Sequence, residues 1–282
     1  MRVTKRFAVL DLDGTLTWQH RLRALPHEEV DVTLRTGIKY YAAPESLAAL
    51  ETALAHTRTP LLFWGAGDYH YVTYARLRAL RHPLTVVLFD RHSDCAHDAD
   101  GVVTCGNWVR HALKLPWVAR VLWIGAPDHK PLPHERHPHL VWIPLRKPPA
   151  NAAEWLRSVL PTPNVYLSVD KDVLSPEVAA TNWDQGTLAL ADLLAWIACF
   201  RQHARVIGAD IGGEWVLPPG HLFPTPDDLH AIRLNETANL ALLDALLGPE
   251  DRAFRRRTKQ KPTGLVTPVG PSASETARPH PA

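Results

Sequence analysis

Cysteine is scarce in this chain. Cys95, Cys105 and Cys199 are the only three, an odd set that supports no disulfide framework. No long apolar span and no N-terminal signal-like segment appears, so a reducing cytoplasm is the expected setting. Net charge is scarce too: 31 Lys and Arg against 29 Asp and Glu leave +2, too little for a nucleic-acid or membrane footprint across the chain. The one basic cluster, "RRRTKQK" at 255–261, sits in a stretch rich in Pro, Thr and Ser without periodicity. Residues 255–282 therefore read as a disordered tail behind a single domain over 1–254. No internal repeat is seen.

What the chain does have is a large apolar fraction, 46% of 282 residues, enough to bury a substantial core. It is distributed as short runs at 7–10, 61–64, 84–89, 120–125, 140–145, 164–169 and 204–211. Between them lie stretches with helical spacing near 45–57, 71–81, 107–115, 152–160, 189–204 and 227–247. Short apolar runs alternating with helices predict an α/β fold, three layers α/β/α, around a mainly parallel sheet of about seven to eight strands.

Acidic residues gather just past the ends of these runs, at Asp11, Asp68, Asp90, Asp170 and Asp210. In open α/β sheets the carboxyl ends of the strands form the ligand crevice. The stretch "VVLFDRHSDC" places Asp90, His92 and Asp94 at alternate positions, and "LSVDKDVL" does the same for Asp170 and Asp172, with Lys171 turned away. If both continue as strands, each set shares one face. Two like charges ~4 Å apart repel by about 4 kcal/mol at an effective dielectric of ~20, so such a cluster calls for cations. Two divalent ions would match it, and oxygen and imidazole donors suit manganese or a neighbouring first-row metal. A further histidine is available in "WGAGDYHYVT", where a turn after a strand delivers Asp68 and His70.

This ordered set, a Gly-Asp-(Tyr)-His turn, an Asp-x-His-x-Asp strand end and a Ser-x-Asp-x-Asp strand end, resembles the ureohydrolases, the arginase and agmatinase superfamily, over roughly residues 61–247. The resemblance implies an arginase-like fold and two manganese ions around a bridging hydroxide, held by His70, Asp90, His92, Asp94, Asp170 and Asp172. It implies that Asp94 orients the hydroxide and passes its proton to the departing nitrogen. The reaction implied is hydrolysis of a C–N bond in a guanidino, amidino, formimino or amide compound. The partner is then a small molecule, cationic or amide-containing, with no nucleic acid or membrane, and homo-oligomerisation is left open.

The departures from the family pattern bear on the pocket. The family's Gly-Asn-x-His loop is "CGNWVRHAL" here, making Asn107 a candidate substrate contact and His111, four residues on, a candidate proton carrier. The Gly-Thr-Gly-Thr-Pro segment is replaced by "AATNWDQGTL", which brings in Asp184 and, beside it, Trp183. The strand end "DIGGEW" carries an extra residue before Glu214, so Asp210 and Glu214 both stand as substrate-facing acids.

Two other readings compete. "VLDLDGTLT" looks like the first motif of haloacid-dehalogenase-type phosphatases, with Asp11 as nucleophile and Asp13 as acid, but the later motifs of that family do not follow. The altered loop at 105–113 would also fit a metal-binding module without catalysis. The histidines of "PDHKPLPHERHPH", His129, His134, His137 and His139, read as a solvated loop in preference to a second metal site. Cys95 and Cys105 read as buried small residues, since no activating base can be placed beside them.

Overall fold

A computed structural model describes residues 5–32, 38–97, 101–129, 131–221 and 223–247. The chain divides into Met1–Leu246 and Leu247–Ala282, and of the second unit only Leu247 is described. The expected boundary at 254 and the tail beyond it lie outside the described residues.

The strands are β1 (Ala8–Leu10), β2 (Glu28–Glu29), β3 (Tyr41–Ala42), β4 (Leu61–Trp64), β5 (Leu84–Phe89), β6 (Val103–Thr104), β7 (Val118–Ile124), β8 (Leu140–Ile143), β9 (Asn164–Asp170) and β10 (Arg205–Gly212). Eight form one sheet in the order β2-β1-β4-β10-β9-β5-β7-β8. Every pairing in it is parallel. The short β3 and β6 pair separately and antiparallel. All seven apolar runs are strands of the large sheet. The eighth, β2, is two glutamates at the edge, a position that needs no apolar face and so sends no hydrophobic signal.

The helices are α1 (His20–Arg23), α2 (Pro44–His56), α3 (Val72–Leu80), α4 (Trp108–Ala112), α5 (Ala152–Val159), α6 (Leu190–His203) and α7 (Pro226–Leu246). They flank the sheet in two groups: α2 packs on α3 and α3 on α4, while α6 packs on α5 and α7. The pleat of the strands explains this. Leu62, Trp64, Val86, Leu88, Val121 and Trp123 join one core with Leu50 and Leu54 of α2 and Ala75 and Leu77 of α3. The intervening residues face the other way, where Phe89 meets Phe200 of α6 edge-on, 6.4 Å between ring centroids.

Helix ends follow local chemistry. Pro44 and Glu45 open α2, where a missing N–H and a negative charge are both favourable. At α7, Thr225 Oγ1 accepts from the Asp228 backbone N–H (3.3 Å) while Asp228 Oδ2 accepts from Thr225 N (2.9 Å), a reciprocal cap. On α6, Leu193, Trp196, Ile197 and Phe200 are buried at helical spacing. At about 1.5–3 kcal/mol per buried large side chain, that face outweighs any propensity difference along the helix. Among the described residues no helix is long and apolar enough to cross a membrane.

Candidate metal centre

The carboxyl ends of β4, β5 and β9 deliver the site. The alternation expected for Asp90, His92 and Asp94 is not strand alternation: β5 ends at Phe89, and the next residues form a tight turn. His92 N–H donates to Asp90 Oδ1 (2.6 Å), and Asp94 adopts a left-handed backbone (φ 45°), uncommon for a residue other than glycine. Likewise β9 ends at Asp170, Lys171–Val173 is a 3-10 turn, and Asp172 N–H donates to Asp170 Oδ1 (3.1 Å). Convergence thus comes from two carboxylate-capped turns. After β4, a third short turn, Gly67–Tyr69, ends at His70 and aims its ring inward in spite of the altered spacing.

His70 Nδ1 lies 3.1 Å from Asp90 Oδ2, 2.9 Å from Asp94 Oδ2 and 3.6 Å from Asp170 Oδ2. Its other nitrogen is 3.0 Å from Ser168 Oγ, and Trp64 and Trp108 hold the ring at centroid distances of 4.8 and 4.9 Å. His92 Nδ1 lies 2.8 Å from Asp172 Oδ2 and 3.5 Å from Asp90 Oδ1. Two trios result, His70 with Asp90 and Asp170, and Asp90 with His92 and Asp172, the donor atoms of each within 4.8 Å of one another. Asp90 belongs to both, one oxygen toward each histidine. Asp94 stands beside the first trio, its Oδ2 accepting from Trp108 Nε1 (2.6 Å).

The electrostatics favour cations here. His70 Nδ1 is buried among carboxylate oxygens yet has no properly directed hydrogen bond. Burial, then the neighbouring Asp172 and Asp90 carboxylates, hold Asp170 well above the usual carboxylate range. Burial and Asp90 push Asp172 up to about 7. Burial works against protonation of His70 and His92, but the carboxylates around each outweigh it and raise both. The donor set, carboxylate oxygens with one imidazole nitrogen per trio, fits a pair of divalent first-row ions.

A cavity of about 180 Å³ opens over the trios, walled by Gly67, Ser93, Ala96, Cys105, Gly106, His134, Glu135 and Trp183. Trp183 is anchored by its Nε1 donating to Asp68 Oδ1 (2.9 Å). Of the anticipated substrate contacts, none lines this cavity. Asp210 is fully buried within the sheet, accepting from Trp64 Nε1 (3.2 Å), Thr73 Oγ1 (3.1 Å), Ser168 Oγ (2.8 Å) and Tyr166 OH (2.9 Å). Glu214 is turned away: the chain reverses at Gly213 (φ 77°), the extra residue, and Glu214 meets the buried Lys171 Nζ at 2.6 Å, with Gln19 Nε2 (2.5 Å) and Asn239 Nδ2 (2.8 Å). Asn107 serves its own turn, accepting from Thr104 N–H (2.7 Å) and donating to Val102 O (2.9 Å). His111 is buried on α4 against the Tyr74 ring, 5.8 Å between centroids. Asp184 goes to a side chain of the second trio: its Oδ1 lies 2.9 Å from His92 Nε2.

The loop read as solvated contributes instead. Glu135 accepts from Ser93 Oγ (2.8 Å), faces His129 Nε2 (3.0 Å) and accepts from Leu132 N–H (2.6 Å). Arg110 ties the same loop down, donating to His134 O (2.7 Å) and to Cys95 O (2.8 Å). Nothing local in "PLPHER" announces this, because both anchors come from distant segments. Asp11 and Asp13 have structural work: Asp11 accepts from Leu16 N–H (3.2 Å) and Thr17 Oγ1 (2.8 Å), Asp13 from Thr15 N–H (3.1 Å) and Ala66 N–H (2.9 Å). Neither lines the cavity. Burial pushes the Cys95 thiol up to about 11 and Cys105 up to about 12, so neither is an activated nucleophile.

The arginase family model matches residues 11–212. An uncharacterized protein of Thermotoga maritima is 30% identical over 238 residues, 84% of this chain and 88% of its own length. Among solved structures, proclavaminate amidino hydrolase from Streptomyces clavuligerus aligns with a TM-score of 0.62 at 20% identity, over 86% of this chain and 92% of that one. Formiminoglutamase from Trypanosoma cruzi, solved with Mn2+, aligns with a TM-score of 0.55 at 16% identity, over 86% and 95%. At these identities the two structures are similar in fold.

Proposed function

The chain belongs to the arginase family, and from that premise we propose that it is a dinuclear-metal hydrolase of non-peptide C–N bonds, acting on a small guanidino, amidino, formimino or amide compound. The observation that carries the reading is the pair of donor trios sharing Asp90 at the floor of the cavity. Manganese is the proposed metal, supported by the oxygen-rich donor set and by the Mn2+ of the T. cruzi relative. His70, Asp90 and Asp170 would hold one ion and Asp90, His92 and Asp172 the other, with Asp94 adjoining the first. When bound, the ions supply an acidified water as nucleophile and Lewis-acid stabilisation of the charge that develops at the attacked carbon.

The chain's own residues account for the rest. Asp94, which lines the cavity and is held through Oδ2 by Trp108 Nε1, would take a proton and return it to the departing nitrogen. Trp183, Ser93, His134 and Glu135 shape the wall against which the substrate lies, and the small volume restricts it to a compact molecule. A cytoplasmic location suits a chain with three free thiols. The position of His111 away from the cavity is the one observation that favours a metal-binding chain without turnover.

Purified protein loaded with Mn2+ should release ammonia, urea or an equivalent nitrogen product from at least one of the four substrate types. Asp94→Asn should lower kcat by about 10²–10⁴-fold, the range for loss of a positioned acid–base group. No turnover across all four types, with both ions bound, would favour the non-catalytic reading.

A further inference from the structure

The segment that replaces the family's Gly-Thr-Gly-Thr-Pro run is fastened to the Asp172 turn by the two residues that follow Asp184. Gln185 Nε2 donates to Leu174 O (3.2 Å) and Ala179 O (3.0 Å), and its Oε1 accepts from Thr181 N–H (3.2 Å). Gly186 N–H donates to Asp172 O (2.6 Å), and a Cβ at Gly186 would meet Val173 O at 2.5 Å, so this approach needs glycine. Immediately before these anchors Asp184 is 73% exposed, yet both its oxygens have partners. Oδ1 lies 2.9 Å from His92 Nε2, and Oδ2 lies 3.8 Å from Arg91 Nε.

A histidine offers a cation a lone pair from one ring nitrogen only when the proton sits on the other, and a hydrogen-bond acceptor on that other nitrogen fixes both proton and ring angle. For His92 the nitrogen inside the trio is Nδ1, beside Asp172 Oδ2 and Asp90 Oδ1. That leaves Nε2 to carry the proton, and Asp184 Oδ1 is the acceptor placed there. His70 has the same arrangement with a different partner, the neutral, buried Ser168 hydroxyl. The two sites therefore differ: one imidazole is braced by a buried hydroxyl and the other by an exposed carboxylate on a loop.

We propose that Asp184 is a positioning residue of the metal centre, bracing His92 from outside so that one of the two ions depends on it and the other does not. This rests on the dinuclear reading above. It replaces the expectation that Asp184 contacts substrate.

The test is calorimetric titration of metal-free wild type, Asp184→Ala and Asp184→Asn, full-length, with MnCl2, alongside Mn2+ electron paramagnetic resonance and the thermal midpoint of the metal-free proteins. Wild type should bind two ions. Asp184→Ala should bind one with unchanged affinity and the other about 10–100-fold more weakly, the usual cost of losing such a partner, and its spin-coupled two-ion signal should weaken accordingly. Asp184→Asn keeps an acceptor oxygen and should recover much of the loss, while the metal-free midpoint stays that of wild type in both. Two wild-type affinities in Asp184→Ala, or an equal loss at both sites, would overturn the proposal, and wild-type metal binding with a raised KM would return Asp184 to the substrate. A wild type that binds fewer than two ions would be seen in the first arm, and would remove the dinuclear reading together with this inference.

Discussion

An Asp90→Ala protein is expected to purify folded and to bind neither of the two cations expected of wild type. Asp90 is the member common to both donor trios, one oxygen facing His70 and the other His92. Removing a residue that serves one ion alone, such as Asp172, should leave the other in place. Removing Asp90 takes a ligand and its negative charge from both at once. Hydrolytic activity should fall by about three orders of magnitude or more, on the order of 4 kcal/mol of transition-state stabilisation at 1.36 kcal/mol per decade. Elemental analysis after dialysis gives the stoichiometry, and circular dichroism confirms the fold. An Asp90→Ala protein that keeps both ions would show that the trios are not the binding sites.

The second large effect concerns stability. Lys171 is wholly buried between two metal-centre aspartates in sequence, but its ammonium points the other way, to Gly212 O (2.6 Å) and Glu214 Oε1 (2.6 Å). Glu214 in turn joins Gln19, in the N-terminal segment, and Asn239, on α7. Lys171→Met leaves a buried carboxylate without its counter-charge, which should cost about 3–5 kcal/mol. Lys171→Met with Glu214→Gln removes both charges and should recover a large part of that loss. Urea denaturation of the metal-free proteins measures both. A cost below ~1 kcal/mol for Lys171→Met would mean that the pair contributes little, as exposed ion pairs do.

The apolar runs carried the fold, because a parallel strand covered on both faces must be apolar along its length. The edge strand β2, two glutamates, lies outside that rule and sends no such signal. The residues of the two donor trios could be found because the same few residue types recur within short windows at strand ends. The mechanism of their convergence could not: the windows are turns closed by the aspartates themselves. The lining of the cavity was the least accessible. Asp210 sits at a strand end like Asp90 and Asp170, and only the packed structure shows Trp64, Thr73, Tyr166 and Ser168 occupying its oxygens. Glu214 is diverted by one residue, Gly213, whose left-handed turn sequence spacing does not reveal. Glu135 and His134 reach the cavity only because Ser93 and Arg110, far away in sequence, hold their loop.

Whether two cations share Asp90 can be decided by anomalous scattering at the manganese edge from crystals soaked in MnCl2. Two peaks are expected at the cavity floor, one bounded by His70, Asp90 and Asp170 and the other by Asp90, His92 and Asp172; a single peak, or manganese bound elsewhere with this floor vacant, would contradict that sharing.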